Sequence, residues 1–528
     1  MSGPGWTMSF PSAGAGPTGG AGVGAERDDR LRLSDVAKLA RRTRRQVVGV
    51  ARAGDRPTLS DLLLSHLGGT VDALDVVEES WPGYDHVNVQ VGLDAWLLQD
   101  GRDHQLVGLT DVGHREFGLS DLLRREDSRY GPRPGNVAWM NLASGPQGQV
   151  VPAVRAGLYL VHASDARIAI LVLAGDPEMG SSVLRLHLVA DRPGAAARAG
   201  ADIRALSVER NVFRGQVISF GDDMFGERAT ALHFLPRPAV SADQVVLPAE
   251  TLAMIRRQVV GIAEHREQLL AARQHLKRGL LLYGPPGVGK SHTVRYLTSE
   301  LTGTTIILLT GDALGSIGTA CSVARTLQPA MVVVEEVDLI AEDRDMYDGG
   351  QPLLFSLLNE MDGLAEDADV VFLLTTNRAG VLERALAARP GRVDQAVALE
   401  LPDRDARRRL FELYRGDLVV DDSRLDSLIE RTEHVTASFL KELLRRAALI
   451  AADAGDPGAS LQVSADQLDA ALEELFDTRN AMTRVLLGGA RPGERVAHHD
   501  EDDDPDDDLD DDDPDDDLDE RAEGRDGW

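Results

Sequence analysis

Gly284-Pro-Pro-Gly-Val-Gly-Lys-Ser291 is a glycine-rich loop that follows the apolar run 280–283 and precedes a helix-forming stretch. Glycines at this spacing let backbone N–H groups turn inward onto phosphates, the lysine reaches the β- and γ-phosphates, and the serine hydroxyl can sit on Mg²⁺. The new helix also points its positive end at the anion. The loop therefore predicts a nucleoside triphosphate site. Its expected contacts are Gly284, Pro285, Pro286, Gly287, Val288, Gly289, Lys290, Ser291 and His292.

Lysine is rare in this chain, which makes the lysine of the loop informative. Only Lys38, Lys277, Lys290 and Lys441 occur among 528 residues, and arginine carries nearly all the remaining basic charge. Where arginine is used so freely, we interpret Lys290 as chemically required. The alternative is a Gly/Pro turn that matches the pattern by chance, and the flanking strand and helix argue against it.

Near-continuous apolar runs alternate with helical stretches around the loop, as is typical of parallel strands buried on both faces. The runs are 305–309, 331–334, 370–374 and 396–401. They predict a doubly wound α/β domain, which a helical stretch at 252–272 precedes. No strand pattern returns after Asp405, so the remaining segments predict a small helical lid. These segments are 407–414, 423–431, 436–452 and 464–476.

The ends of the predicted strands carry the groups that phosphoryl transfer needs. Glu335 and Glu336 end a buried strand, at the edge where a parallel sheet presents its ligand site. One carboxylate would orient Mg²⁺ through water and the other would polarise the attacking water. Asn377 follows a neighbouring strand, where its amide can hold that water. Arg389 and Arg392 lie too close to a strand start to fold back easily, so they would suit a neighbour's nucleotide.

Residues of about 245–480 resemble the AAA ATPase module, from the AAA+ clade that assembles into rings. The resemblance rests on five motifs in order, at 278–291, 335–338, 358–364, 376–378 and 388–394. The family usually works as a hexamer that couples ATP hydrolysis to unfolding or remodelling of a partner protein. The resemblance thus implies an ATP hydrolase that uses ATP and Mg²⁺ and assembles as a homo-oligomer.

The same resemblance assigns roles to single residues. Lys290 and Ser291 correspond to the Walker A lysine and hydroxyl, Glu336 to the Walker B catalytic base, and Asn377 to sensor 1. Ser291 would bind the Mg²⁺ through its hydroxyl, and Glu335 would bind it via water. Arg389 and Arg392 match the arginine fingers that act in trans, and 362–364 matches the intersubunit signalling segment.

Three departures from the family pattern bear on activity. Glu335 stands where the family usually has an aspartate, so the metal geometry shifts and hydrolysis could be slow. The segment 311–318 occupies the place of the central-pore loop but has no aromatic residue, with Ile317-Gly318 as its nearest equivalent. Residues 435–439 replace the small Ser-Gly-Ala pattern expected at the nucleotide-facing helix of the lid. A zinc-protease motif does not follow the module, and Arg525–Trp528 is not a proteasome-docking ending, so we expect no link to proteolysis.

Composition limits the other functions. The formal charge is -30, and the acidic stretch 500–520 supplies more than half of it. Such a surplus repels nucleic-acid phosphates, and the basic cluster 41–45 is more simply the solvated face of a helix, so no nucleic-acid partner is expected. The single cysteine, Cys321, indicates a reducing compartment. Because no apolar run approaches the length of a membrane span, we expect no membrane segment and a cytoplasmic protein.

The chain is expected to have five parts. A disordered leader, 1–26, precedes an α+β domain of unknown specificity, 27–240. The α/β core, 245–402, and the helical lid, 403–484, follow, with 236–248 as a linker before the core. The fifth part is a disordered acidic tail, 485–528, for which three roles stay open: a solubilising tail, a ligand for basic partners or a mimic of a polyanion.

The N-terminal domain is expected to be built from short strands. Their runs are 87–91, 157–161, 168–173, 183–188 and a last strand within 209–219, with helices within 31–67 and at 195–206. Histidines in this domain show no metal-ligand spacing. The client that the domain would select is therefore open.

Two functions from different classes fit the sequence. The leading hypothesis is an AAA ATPase whose N-terminal domain selects a protein client for a ring assembly. The alternative is a nucleotide-dependent scaffold or switch that assembles but hydrolyses ATP slowly. A nucleic-acid motor is a third possibility, and it predicts that DNA stimulates the ATPase activity.

Overall fold

The computed structural model describes most of the chain between residues 57 and 477. The described ranges are 57–68, 74–99, 101–110, 117–124, 132–175, 183–221, 231–338, 353–365, 367–378, 393–454 and 461–477. The predicted leader, the basic cluster 41–45, Arg389, Arg392 and the acidic tail lie outside these ranges.

Sixteen strands are present in the described residues. They are β1 (Val77–Pro82), β2 (Asp103–Thr110), β3 (Arg133–Gly135), β4 (Ala138–Ala143), β5 (Val150–His162), β6 (Arg167–Leu173), β7 (Val183–Ala190), β8 (Val217–Gly221), β9 (Ala231–Leu235), β10 (Arg278–Tyr283), β11 (Thr305–Leu309), β12 (Ala330–Val334), β13 (Val370–Thr376), β14 (Gln395–Ala398), β15 (Val419–Val420) and β16 (Gln462–Val463).

The same ranges contain fourteen α-helices. They are α1 (Leu59–Leu67), α2 (His86–Leu97), α3 (Leu119–Arg124), α4 (Ala195–Glu209), α5 (Ala249–Arg256), α6 (Ile262–Glu264), α7 (Arg266–Ala271), α8 (Lys290–Glu300), α9 (Ile317–Thr326), α10 (Leu353–Asp362), α11 (Arg404–Arg415), α12 (Leu425–Arg431), α13 (Ala437–Ala454) and α14 (Ala465–Phe476). A π-helical turn, Arg257–Gly261, joins α5 to α6, so the helix predicted over 252–272 is interrupted.

The chain divides into two compact units. The first contains the described residues up to Arg237 together with Gly303–Val332. The second contains Pro238–Thr302 together with the described residues from Val333 onward. The boundary falls within β12, which contributes residues to both units.

An antiparallel sheet forms the centre of the first unit. Its strands run in the order β1-β7-β6-β5-β2-β3, and β4 pairs with β5 outside this path. Side chains alternate between the two faces of β6, so Ile168 and Ile170 pack with α2 and α4, while Ala169 and Leu171 pack with α1 and α3. The region is therefore a three-layer α+β arrangement, as the sequence predicts.

One predicted strand in this region is wrong. Residues 87–91, which alternate valine with Asn88 and Gln90, lie on α2 and not on a strand. Both polar side chains are buried and bonded: Asn88 Oδ1 accepts from the Val212 backbone N–H at 2.8 Å, and Gln90 Oε1 accepts from the Val154 N–H at 3.0 Å. The polar residues that alternate with valine are therefore buried hydrogen-bond acceptors on a helix, and they do not form the exposed face of a strand.

The last strand assigned to the N-terminal region, β8, belongs to a different sheet from the first seven strands. β8 pairs parallel to β11, with Ile306 opposite Val217, and β9 pairs antiparallel to β8. Side-chain bonds strengthen this junction, because Arg237 donates to the carbonyls of Gly215 and Thr304 at 3.0 and 2.9 Å. Within the first unit the order is β9-β8-β11-β12.

The second unit contains the strands that carry the glycine-rich loop. β10 pairs parallel to both β13 and β14, and the order here is β12-β13-β10-β14. All residues of β13 are buried, as expected of a central parallel strand. These pairings confirm the predicted doubly wound α/β core.

The lid consists of α11 to α14 around its own apolar core, in which Phe411, Phe439 and Leu472 are fully buried. Its last helix begins with the predicted capping box, Ser464 to Gln467. The expectation that no strand follows Asp405 is wrong in one detail, because β15 and β16 form a two-residue parallel bridge. None of the helices in the described part of the chain has the length and apolarity needed to cross a bilayer.

Candidate nucleotide-binding site

The glycine-rich loop joins β10 to α8 and has a backbone that only glycine adopts easily. Gly284, Gly287 and Gly289 have φ of 147°, 81° and 108°, in a region that side chains with a Cβ rarely occupy. A Cβ on Gly284 would also lie 2.2 Å from the Leu399 carbonyl oxygen. The glycines are thus required by the path of the chain, and the path leaves the loop open around Gly289, where a Cβ would meet nothing within 4 Å.

Lys290 begins α8 and lies inside the loop. Its ammonium donates to the carbonyls of Gly284 and Pro285 at 2.7 and 2.9 Å, and the residue is only 8% exposed. Burial lowers the pKa of Lys290 to about 8, although the carboxylates of Asp338, Glu336 and Glu335 oppose the shift. The site therefore holds a partly desolvated ammonium group. A bound phosphate would favour the charged form of this group.

The next two residues of α8 have different surroundings. The Ser291 hydroxyl donates to Glu335 Oε2 at 2.9 Å, which joins the loop to the end of β12. Burial raises the pKa of Glu335, while this hydrogen bond and Lys290 oppose the increase. His292 Nε2 lies 3.0 Å from the Gln244 carbonyl oxygen, so its ring contacts the segment before α5. The segment 236–248 was predicted as a linker. Its second half, at Gln244, contacts α8.

The donor set around the loop fits a nucleoside triphosphate with Mg²⁺. A hydroxyl and a carboxylate, Ser291 and Glu335, are hard oxygen ligands of the kind that Mg²⁺ binds together with substrate phosphates. Lys290 supplies the cation and the open loop around Gly289 supplies backbone N–H groups.

Glu336 and Asn377 follow adjacent strands, β12 and β13. The backbone of Glu336 is left-handed, with φ of 56°, which is uncommon for a residue other than glycine. Its N–H donates to Thr375 Oγ1 at 3.1 Å. The Asn377 N–H lies 3.3 Å from Asp338 Oδ1, and the Thr376 hydroxyl donates to the same oxygen at 2.9 Å.

The structure thus brings together most of the predicted site residues that it describes. Lys290, Ser291, Glu335, Glu336 and Asn377 all lie at the carboxyl ends of β10, β12 and β13 or directly after them. Arg389 and Arg392, predicted to act on a neighbouring subunit, fall outside the described residues. Their roles remain predictions.

The lid adds contacts that the sequence did not indicate. The Ser438 N–H donates to the Gly287 carbonyl at 3.2 Å, and a Cβ on Gly287 would lie 2.9 Å from Thr436 Oγ1. Residues 435–439, which depart from the family pattern, therefore still contact the tip of the loop. A cleft of about 320 Å³ within the lid has Tyr414, Ser438 and Lys441 among its lining residues.

The segment at the place of the central-pore loop is folded. Residues Gly311–Ser316 form a 3₁₀-helix and Ile317 begins α9 with 1% of its surface exposed. Ile317, the nearest equivalent of the missing aromatic residue, is therefore part of the apolar core of the first unit. At the signalling segment 362–364, Asp362 ends α10 and Leu364 is buried.

Residues 280–401 match the model of the family described as "ATPase family associated with various cellular activities (AAA)". Proteasome-activating nucleotidase 2 of Haloferax volcanii is 29% identical over 282 residues, which cover 51% of this chain and 67% of that protein. ATP-dependent zinc metalloprotease FtsH 3 of Symbiobacterium thermophilum is 30% identical over 254 residues, covering 45% of this chain and 38% of that protein.

A further similar protein is ATP-dependent zinc metalloprotease FtsH of Cutibacterium acnes, 31% identical over 225 residues, or 40% of this chain and 31% of that protein. The chain thus spans about two thirds of the nucleotidase and well under half of these metalloproteases. The metalloproteases carry zinc in their names, whereas this sequence has no His-Glu-x-x-His motif.

Proposed function

Because the chain belongs to the AAA family of ATPases, we propose that its second unit binds ATP with Mg²⁺ and hydrolyses it within a ring of identical subunits, where the energy remodels a protein client. The observation that carries the proposal is the hydrogen bond between Ser291 and Glu335. It brings the hydroxyl of the phosphate loop and the carboxylate of β12 to one point, beside the buried ammonium of Lys290.

The residues have separate roles in this proposal. Lys290 would neutralise the β- and γ-phosphates, while Ser291 and Glu335 would hold Mg²⁺. When bound there, Mg²⁺ would supply positive charge to the phosphate oxygens. Glu336 accepts a proton from the attacking water, and Asn377 orients that water. Arg389 and Arg392 of a neighbouring subunit would complete the site, as the relatives' family implies.

The N-terminal domain is proposed to select the client. Within the first unit, this domain continues directly into β8, which pairs with β11, and β11 leads to the segment 311–318. A client bound to this domain would therefore be held by the same compact unit that contains the segment 311–318. We further propose a cytoplasmic location, on the single cysteine and on the absence of any long apolar run.

The test compares steady-state ATP turnover of the full chain with that of two variants. Lys290→Ala is expected to lose ATP binding, whereas Glu336→Gln should bind ATP normally and turn over at most about one hundredth as fast. Glu473→Gln, an exposed lid residue that pairs with Arg431, is the matched control and should retain the wild-type rate. Equal rates for the wild type and Glu336→Gln would refute hydrolysis at this site.

Action between subunits can be tested by mixing. Glu336→Gln lacks the base but keeps the arginines, and Arg389→Ala has the reverse defect. Random assembly in a ring would combine an intact base with an intact arginine at about a quarter of the sites, so two inactive proteins should regain activity. Mixtures that assemble but stay inactive would show that Arg389 does not act in trans.

A slowly hydrolysing scaffold or switch is the second candidate. It is favoured by the burial of Ile317, since the segment 311–318 then presents no large apolar side chain among its described residues with which to grip a polypeptide. Glu335 in place of aspartate favours it too. A wild type that assembles with ATP but hydrolyses no faster than Glu336→Gln would support the scaffold over the remodelling ATPase.

A further inference from the structure

Three buried polar side chains connect the two strand ends that carry Glu336 and Asn377. They are Thr375 and Thr376 at the end of β13 and Asp338 after β12, with exposures of 2%, 0% and 8%. We call this set the threonine–aspartate clasp. Among the described residues, none of its members forms a hydrogen bond to the glycine-rich loop. The hydrogen bonds of these side chains instead join the end of β13 to the turn after β12.

The first arm of the clasp braces the backbone of Glu336. A left-handed conformation is strained for glutamate and persists only where its surroundings hold it. Here the Glu336 N–H donates to Thr375 Oγ1 at 3.1 Å, which ties the turn to the neighbouring strand. The direction in which Glu336 leaves the sheet is therefore set by β13.

The second arm braces the chain at Asn377. Asp338 Oδ1 accepts from both the Thr376 hydroxyl, at 2.9 Å, and the Asn377 N–H, at 3.3 Å. The Thr376 hydroxyl oxygen in turn accepts from the Arg378 N–H at 3.0 Å. The bend that follows β13 is thus held by a carboxylate from the β12 side.

The two arms run in opposite directions between the same two segments. β13 holds the base-carrying turn through Thr375, and the turn after β12 holds the sensor position through Asp338. We propose that Thr375, Thr376 and Asp338 are positioning residues that keep Glu336 and Asn377 in register for the attack of water on ATP. The inference rests on the proposed ATPase function and adds to it residues that do not themselves touch the nucleotide.

The electrostatic surroundings agree with this assignment. Among the carboxylates that raise the pKa of Lys290 against the effect of burial, Asp338 has the largest influence, ahead of Glu336 and Glu335. The Asp338 carboxylate thus interacts electrostatically with the Lys290 ammonium. Its hydrogen bonds go to Thr376 and Asn377 at the end of β13.

The test separates ATP binding from turnover. Thr376→Val removes the hydroxyl but keeps the branched shape of the side chain, and it is expected to lower kcat at least about tenfold with the Kd for ATP changed less than about twofold, because misplacement of reacting groups affects the chemical step. Thr376→Ser restores the hydroxyl and should restore kcat. Thr375→Val should show the same split through Glu336.

Thr432→Val is the matched control. Thr432 is equally buried, and its hydroxyl donates to the Leu428 and Ile429 carbonyls in the lid at 3.0 Å. It measures the general effect of deleting a buried hydroxyl, and kcat should stay at the wild-type value. If Thr376→Val does not fold by circular dichroism, Thr375→Val against the same control decides the matter.

The outcomes distinguish the inference from the function on which it rests. A Thr376→Val protein with the kcat of Thr432→Val would overturn the inference and leave the ATPase proposal intact. So would a loss of ATP affinity at unchanged kcat, since the clasp would then shape the binding loop. A wild type with no turnover above Glu336→Gln would overturn the proposed function, and the positioning role with it.

Discussion

ATP binding should weaken as the pH rises from 7 to 9, because the bound phosphates need the charged form of Lys290. In the free protein, burial lowers the pKa of this ammonium from 10.5 to about 8. Deprotonation therefore occurs in a range where an exposed lysine stays charged. In the complex the added phosphate charge raises the pKa again, so the bound state keeps its proton and alkaline pH penalises binding alone.

The magnitude follows from the pKa. With a value of about 8, about nine-tenths of the free protein carries charged Lys290 at pH 7 and about one-tenth at pH 9. The apparent Kd for ATP should therefore rise about tenfold between these pH values, or about 1.4 kcal/mol. The phosphates of ATP are almost fully ionised above about pH 7, so the ligand itself contributes little to this change.

Isothermal titration calorimetry with a non-hydrolysable ATP analogue and Mg²⁺ on the wild-type protein, at pH 7, 8 and 9, measures the change without hydrolysis and keeps the Glu336 carboxylate that acts on Lys290. Repeating each titration in two buffers of different ionisation enthalpy gives the protons taken up, which should increase from about zero at pH 7 to nearly one at pH 9. Circular dichroism at pH 9 checks that the fold is intact. A Kd that is constant from pH 7 to 9, with no proton uptake, would show that Lys290 has an ordinary pKa.

Three other substitutions have defined outcomes. Gly287→Ala places a Cβ 2.9 Å from the Thr436 hydroxyl of the lid, at a φ of 81°. It should lower the unfolding free energy by about 1–3 kcal/mol and weaken ATP binding. Gly315→Ala is the control, because its Cβ would have no atom within 4 Å, and it should change neither quantity. Arg278→Met removes one of the two arginines that pair with the buried carboxylate of Asp369, with Arg266 remaining at 3.2 Å, and should cost about 1.5–3 kcal/mol in urea denaturation; a loss below about 0.5 kcal/mol would contradict a buried pair. Glu335→Gln should reduce the effect of Mg²⁺ on ATP affinity about tenfold or more in titrations with and without EDTA, and an unchanged effect would remove Glu335 from the metal site.

Local features of the sequence were sufficient for the core of the second unit. The glycine spacing at 284–289 predicted the loop, because positive φ is a property of single residues. Buried parallel strands have runs such as 370–374 that need no partner to be recognised. The capping box at Ser464 and the lid helices are likewise local, since their hydrogen bonds join residues three or four positions apart.

Contacts between distant residues decided the rest. The alternation at 87–91 indicated a strand, but these residues lie on α2, where Asn88 and Gln90 accept hydrogen bonds from backbone N–H groups far along the chain. β8 lies beside β11, some ninety residues further on, and no pattern within either strand specifies that pairing. The clasp depends in the same way on Asp338 meeting Thr376. Periodicity and turn chemistry depend on residues that are close together in the sequence. The hydrogen-bond partner of a buried polar group depends on tertiary contacts, which form only when the chain folds.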